Sequence, residues 1–214
     1  MCYLEINNLT KIIKGKKVLD NINLKLDKGK IYGFVGRNGS GKTMLFRAIC
    51  GLIKPNEGTI KINKKQLHKD ISFPESIGVI IENPGFWDNY TAFENLKTLS
   101  QIKNIISDDD IMNQLERLNL KDNYNVKFKK FSLGMKQRLA IAQAIMEKPD
   151  LIVLDEPTNA LDEESCILVR KLLLEEKKRG ATILIASHNS EDINLLSDIK
   201  FRLADGRVSA ENNG

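Results

Sequence analysis

Cysteine is scarce and unpatterned. Cys2, Cys50 and Cys166 stand far apart, without the close pairs that a zinc site or a redox motif needs. Three scattered thiols point to free cysteines in a reducing compartment. Long apolar runs are also absent. Stretches such as Leu151 to Leu154 and Ile183 to Ala186 fall far short of the roughly 20 residues that cross a bilayer. The opening residues, MCYLEINN, carry neither a basic region nor a long apolar one, so no secretory signal is expected. There is no internal repeat, no low-complexity tract and no run of heptads, which removes solenoids, disordered tails and long coiled coils.

What remains suits a globular protein. The 214 residues are 42% hydrophobic and 29% charged, enough for one large α/β domain or one domain with a sub-lobe. The net charge is +5, with lysine clusters at 14–17, 61–69 and 127–130. A basic balance fits polyphosphate ligands, nucleic acid or an anionic membrane face, and equally an ordinary solvated surface. The clusters lack regular aromatic interleaving, which argues against nucleic acid.

Hydrophobic periodicity sets out the elements. Leu4, Ile6 and Leu9, then Ile22, Leu24 and Leu26, alternate with polar neighbours and predict half-exposed strands. Buried strands are expected at 31–35, 77–81, 151–154 and 181–186, a short strand at 59–62, and closing strands at 199–203 and 207–209 around a turn at Asp205-Gly206. Helices are expected at 42–52, from 91 to about 119, at 135–146 as a strongly amphipathic one, and at 162–179. Ser107 and Asp110 form a capping box within the second of these. Strands alternating with helices predict an open, mainly parallel α/β sheet, and the strand-free stretch between Pro84 and Ser132 reads as an inserted helical lobe.

Two stretches carry chemistry. GRNGSGKT, Gly36 to Thr43, follows a strand and opens a helix. In such a loop the backbone N–H groups of Gly36, Arg37, Asn38, Gly39, Ser40 and Gly41 can wrap phosphate oxygens, Lys42 reaches the β- and γ-phosphates, and the Thr43 hydroxyl binds Mg²⁺. LIVLDE, Leu151 to Glu156, is a buried strand that ends in two acids. Asp155 is placed to hold Mg²⁺ through water, and Glu156 to polarise the water that attacks the γ-phosphate. His188 follows a further strand. A lone histidine is often structural, but the carboxyl end of a parallel strand is where ligands bind, so His188 is also a candidate for the γ-phosphate.

Together, GRNGSGKT, FSLGMKQRL (Phe131 to Leu139), LIVLDEPTNALD and His188 resemble, in order and spacing, the ATPase subunits of ABC transporters. The resemblance covers almost the whole chain. It implies a P-loop fold of ABC type: a mainly parallel sheet flanked by helices, an N-terminal antiparallel β subdomain and an inserted helical lobe. It implies one domain, 1–214, with an ATP-binding core at 1–83 and 149–214 and the lobe at 84–148. It implies ATP and Mg²⁺ as ligands, and a head-to-tail pair of ATPase subunits, homo- or heteromeric. Ser132, Leu133, Gly134 and Met135 would then meet the ATP held by the other subunit, and Asp162 would lie between the two sites. It also implies a cytoplasmic protein held at the inner face of the membrane by a separate permease, with no nucleic acid partner. The chain is expected to end without a regulatory C-terminal domain.

Three departures stand out. Ile13 sits near the place of the family's adenine-stacking aromatic. Phe131, Leu133 and Met135 replace three residues of the usual Leu-Ser-Gly-Gly-Gln signature. Glu82 replaces the glutamine at the tip of the second core strand and becomes a candidate Mg²⁺ contact, direct or through water. IIENPGFWDNYTAFENL and FSLGMKQRL are similar to ABC-2-type exporters of the bacitracin and lantibiotic self-protection kind. Phe86, Trp87 and Tyr90, behind Glu82, would receive a permease helix, or else pack the core of the lobe. A soluble ABC ATPase acting on ribosomes or DNA is the alternative, and a second cassette, a long coiled coil or zinc pairs would mark it.

Overall fold

A computed structural model describes residues 2–82, 85–188 and 190–211. Among these residues the larger sheet has six strands, in the order β10-β9-β3-β8-β7-β6. They are β3 (Ile31–Val35), β6 (Ile77–Ile80), β7 (Leu151–Asp155), β8 (Thr182–Ser187), β9 (Ile199–Ala204) and β10 (Arg207–Glu211). All neighbours in it are parallel except β9 with β10. The smaller sheet is antiparallel, built on the hairpin of β1 (Cys2–Ile13) and β2 (Lys16–Asp27), with β4 (Glu57–Ile62) and β5 (Lys65–Gln66) beside β1.

The pleat of the central strands divides the interior into two cores. In β7, Ile152 and Leu154 face one core while Leu151 and Val153 face the other; in β8, Ile183 and Ile185 oppose Leu184 and Ala186. Both faces are covered, so these strands read as continuous apolar runs rather than alternating ones. One face packs on α1 (Lys42–Ile49) and the small sheet. The other packs on α4 (Leu133–Ile145), α5 (Glu163–Arg179) and α6 (Ser190–Leu196).

The lobe contains α2 (Ala92–Ser100), α3 (Asp108–Arg117), two short 3-10 turns and α4. Its strand content among the described residues is one isolated bridge, Thr91 to Lys127. The capping box at Ser107 and Asp110 is present, and Thr91 with Glu94 forms another that sequence reading passed over. The helical stretch at 91–119 is therefore two helices, each started by its own box.

Helix α4 corrects an expectation. It begins at Leu133, not Met135, and it is not strongly amphipathic: Leu139, Ala140, Ile141, Ala142, Ala144 and Ile145 are all buried. This second half lies between the sheet and the lobe helices, and a segment enclosed by protein carries apolar residues on all sides. Gly78 allows that packing, because a Cβ there would sit 1.7 Å from the Ala144 carbonyl oxygen. Helix α1 ends at Ile49, earlier than its periodicity suggests, and β5 and α6 were not expected.

Candidate functional site

Parallel strands present their carboxyl ends along one edge, and that edge gathers the chemistry. The phosphate loop follows β3, Asp155 and Glu156 end β7, His188 follows β8, and Glu82 lies just beyond β6. A cleft of about 960 Å³ opens there. Gly39, Lys42, Thr43, Glu82, Asp155 and Glu156 are on its wall, as are Leu133, Lys136 and Gln137 of α4.

The phosphate loop has the features of an anion cradle. Gly41 precedes α1 at φ 109°, in the left-handed region, and a Cβ there would lie 2.8 Å from the Val18 carbonyl oxygen. No side chain caps α1 and no acid stands in its first turn, so its N-terminal N–H groups have no built-in anion. Lys42 is buried, and its ammonium donates to the carbonyls of Gly36 at 2.7 Å and Arg37 at 3.3 Å. The Ser40 hydroxyl is buried without a partner among the described residues.

Opposite the loop, the Thr43 hydroxyl donates to Asp155 Oδ2 at 2.5 Å. Burial holds the Asp155 carboxyl above the ordinary value of 3.8. The negative charges of Glu156 and Glu82 push the same way, while the Thr43 hydrogen bond and the Lys42 ammonium pull it down. Among the described residues no group of three or more His, Cys, Asp or Glu side chains is arranged to hold a metal unaided. The Thr43–Asp155 contact does supply two hard oxygens, which suits Mg²⁺ completed by phosphate and water.

Glu156 has φ 53° and is held from several sides. Its Oε2 contacts His188 Nδ1 at 2.8 Å and accepts from the Ser187 hydroxyl at 3.2 Å. Its Oε1 accepts from the His188 backbone N–H at 3.0 Å. Gln137 donates to the carbonyl oxygens of Glu156 at 3.3 Å and Pro157 at 2.9 Å. Sequence reading missed Gln137, and nothing local marks a helix residue that reaches across to the tip of a strand.

The signature residues surround the start of α4. Ser132 is its N-cap, accepting from the Met135 N–H at 3.2 Å. Leu133 is 73% exposed. Gly134 lies against the Ala160 carbonyl, 3.2 Å from where a Cβ would stand. Asp162 caps α5 by accepting from the Ser165 N–H at 2.8 Å, and hydrogen bonds from the Ser165 side chain first and its backbone second hold the Asp162 carboxyl below the usual aspartate value. Ile13 lies at the end of the β1–β2 hairpin paired with Lys16, and the cleft wall carries Val18 in its place.

Glu82 has φ 60°, and its carboxylate pairs with the Arg47 guanidinium at 2.7 Å. Of the turn behind it, Asn83 and Pro84 lie outside the described residues. The three aromatics then divide. Phe86 is half-buried: it packs edge-on to Phe128 at 5.1 Å against the lobe core and shows its remaining face to an apolar groove. Trp87 and Tyr90 stack on each other at 5.6 Å and stay 45% and 43% exposed.

Comparison with known proteins places these features in context. The sequence matches the family described as ABC transporter over residues 19–159. It is 58% identical over 205 residues to YybJ, an uncharacterized ABC transporter ATP-binding protein of Bacillus subtilis (strain 168), covering 96% of this chain and 94% of that one. It is 40% identical over 216 residues to the bacitracin transport ATP-binding protein BcrA of Bacillus licheniformis, covering 97% of this chain and 69% of that one. Its fold is similar, with TM-score 0.89 and 25% identity, to a dimeric ATP-binding cassette bound to ADP and Pi after hydrolysis, over 98% of both chains.

Proposed function

The chain belongs to the ABC transporter family of ATP-binding proteins, and from that premise we propose that it drives export of a peptide antibiotic or similar amphiphile through a separate membrane permease of ABC-2 type. Binding and hydrolysing ATP is the activity of the family, and a second ATPase subunit and a permease are its partners. The observation that carries the reading is the convergence of Lys42, the Thr43–Asp155 pair and Glu156 on one cleft. The cargo follows by analogy with the bacitracin transport relative.

The phosphate loop, Gly36 to Thr43, wraps the triphosphate, with Lys42 exchanging its two carbonyl partners for phosphate oxygens. Val18 offers the adenine an aliphatic contact. Thr43 and Asp155 would hold Mg²⁺, with Glu82 as a further contact. Mg²⁺, when bound, neutralises phosphate charge and favours departure of the leaving oxygen. Glu156 accepts a proton from the attacking water as its oxygen bonds to the γ-phosphorus and the bond to the bridging oxygen of ADP breaks. His188 and Ser187 fix the Glu156 carboxylate for that transfer. Ser132, Leu133, Gly134 and Met135 would complete the ATP site of a second subunit, with the N-terminus of α4 aimed at its phosphate. Asp162 would lie between the two sites.

The core at 1–83 and 149–214 would carry ATP, and the lobe at 84–148 would carry the signature and the permease contact. Trp87 and Tyr90 are the exposed aromatic anchors for that contact. No helix among the described residues is long and apolar enough to cross a membrane. The protein would sit on the cytoplasmic side, held to the membrane by its permease. Co-purification from detergent-solubilised membranes tests this. A multi-span membrane protein should accompany the chain; a chain that instead travels with ribosomes or DNA would overturn the transporter assignment.

A further inference from the structure

Among the described residues, Glu82 is the one common to the walls of the nucleotide cleft and of the apolar groove beside it. It lines the nucleotide cleft with Thr43 and Asp155, and an apolar groove of about 280 Å³ with Leu52, Ile81 and Phe86. Its charge is felt at Asp155, so it stands within electrostatic reach of the proposed metal pair. A triphosphate entering that cleft meets the carboxylates of Asp155, Glu156 and Glu82, which repel it. Arg47 answers the third of these. It stands in the last turn of α1, the helix that begins with Lys42 and Thr43, and its guanidinium contacts Glu82 Oε1 at 2.7 Å through one nitrogen. The Glu82 backbone is meanwhile in the left-handed region, which side-chain-bearing residues seldom adopt.

We propose that Arg47 is a positioning residue that holds the Glu82 carboxylate as its resting counter-ion, so that Mg²⁺ must displace Arg47 to engage Glu82. The pairing makes an acid tolerable beside the phosphate site, and it ties metal loading to movement at the junction of the cleft and the apolar groove. The inference rests on the ATP and Mg²⁺ site proposed above and goes beyond it in giving Glu82 two alternative cations.

The test is a double-mutant cycle read by binding, not by turnover. Calorimetry with a non-hydrolysable ATP analogue gives the MgCl₂ concentration that half-saturates binding for the wild type, Arg47→Met, Glu82→Gln and the double variant. Thermal melts check that each is folded. Arg47→Met should lower the half-saturating Mg²⁺ roughly three- to fivefold, the factor expected of a half-exposed ion pair. The same change in the Glu82→Gln background should shift it less than about twofold, the residual effect of losing one screened charge. Arg47→Lys should behave as wild type, because a single-nitrogen contact needs no planar fork. An equal shift in both backgrounds, or none in either, would overturn the positioning role. Lys42→Ala separates the two readings: it should abolish analogue binding, and undiminished binding would refute the ATP site itself.

Discussion

Burying a carboxylate next to two others is unfavourable, and at the residue scale Asp155 shows the consequence. Desolvation raises its folded-state value above 3.8. The native protein therefore binds this proton more tightly than the unfolded chain, and above the folded value the ionised group opposes folding. Asp155→Asn should raise the melting temperature of the nucleotide-free protein by a few degrees at pH 7. The gain should shrink as pH falls through the raised value and vanish below the ordinary one; a gain unchanged between pH 7 and pH 3.5 would contradict the account. The acids of this site were legible in sequence, because a buried apolar strand that ends in carboxylates is a local pattern. Arg47 was not, since its meaning lies in Glu82, 35 residues away and brought near only by the fold. Phe86 shows the same limit: three aromatics in one loop look alike in sequence, and packing sends one inward.

At the scale of elements, the loop after β7 is fastened to the helices behind it. Asp192 of α6 is buried and accepts from Arg170 of α5 at 2.8 and 2.5 Å. Thr158, between Glu156 and Asp162, donates its hydroxyl to the same carboxylate. One buried acid thus joins α5, α6 and the loop that carries the proposed catalytic base, Glu156. Asp192→Asn leaves Arg170 only the longer contact to the exposed Glu191, at 3.8 Å, and should cost about 3 kcal/mol. That corresponds to a fall of roughly 6–12 °C in melting temperature for a chain of this length. A fall of no more than a degree would show that the cluster does not hold these elements together. Element boundaries were legible where a cap announced them, as at Ser107, and less so where tertiary cover replaced periodicity. Helix α4 is the clearest case: its buried half, Leu139 to Ile145, carries apolar residues on every side because protein surrounds it.

For the whole molecule, sheet direction organises function. Parallel strands bring the phosphate loop, the two acids and His188 to one edge although they are spread over 36–188 in the chain. That gathering was foreseeable, since alternating strands and helices leave few topologies open. The position of Ser132 is a different matter, because its proposed role is completed only by another subunit. Ser132 caps its own helix, and Leu133 beside it is 73% exposed. The central claim is that ATP joins two such chains through these residues, and that Glu156 then releases them by hydrolysis. Light scattering of purified Glu156→Gln with and without Mg²⁺-ATP, alongside phosphate release, tests it most directly. The account predicts a mass of 24.2 kDa without nucleotide, twice that with Mg²⁺-ATP, and no phosphate release. A variant that binds ATP yet stays at the single-chain mass, or that hydrolyses ATP at the wild-type rate, would contradict it.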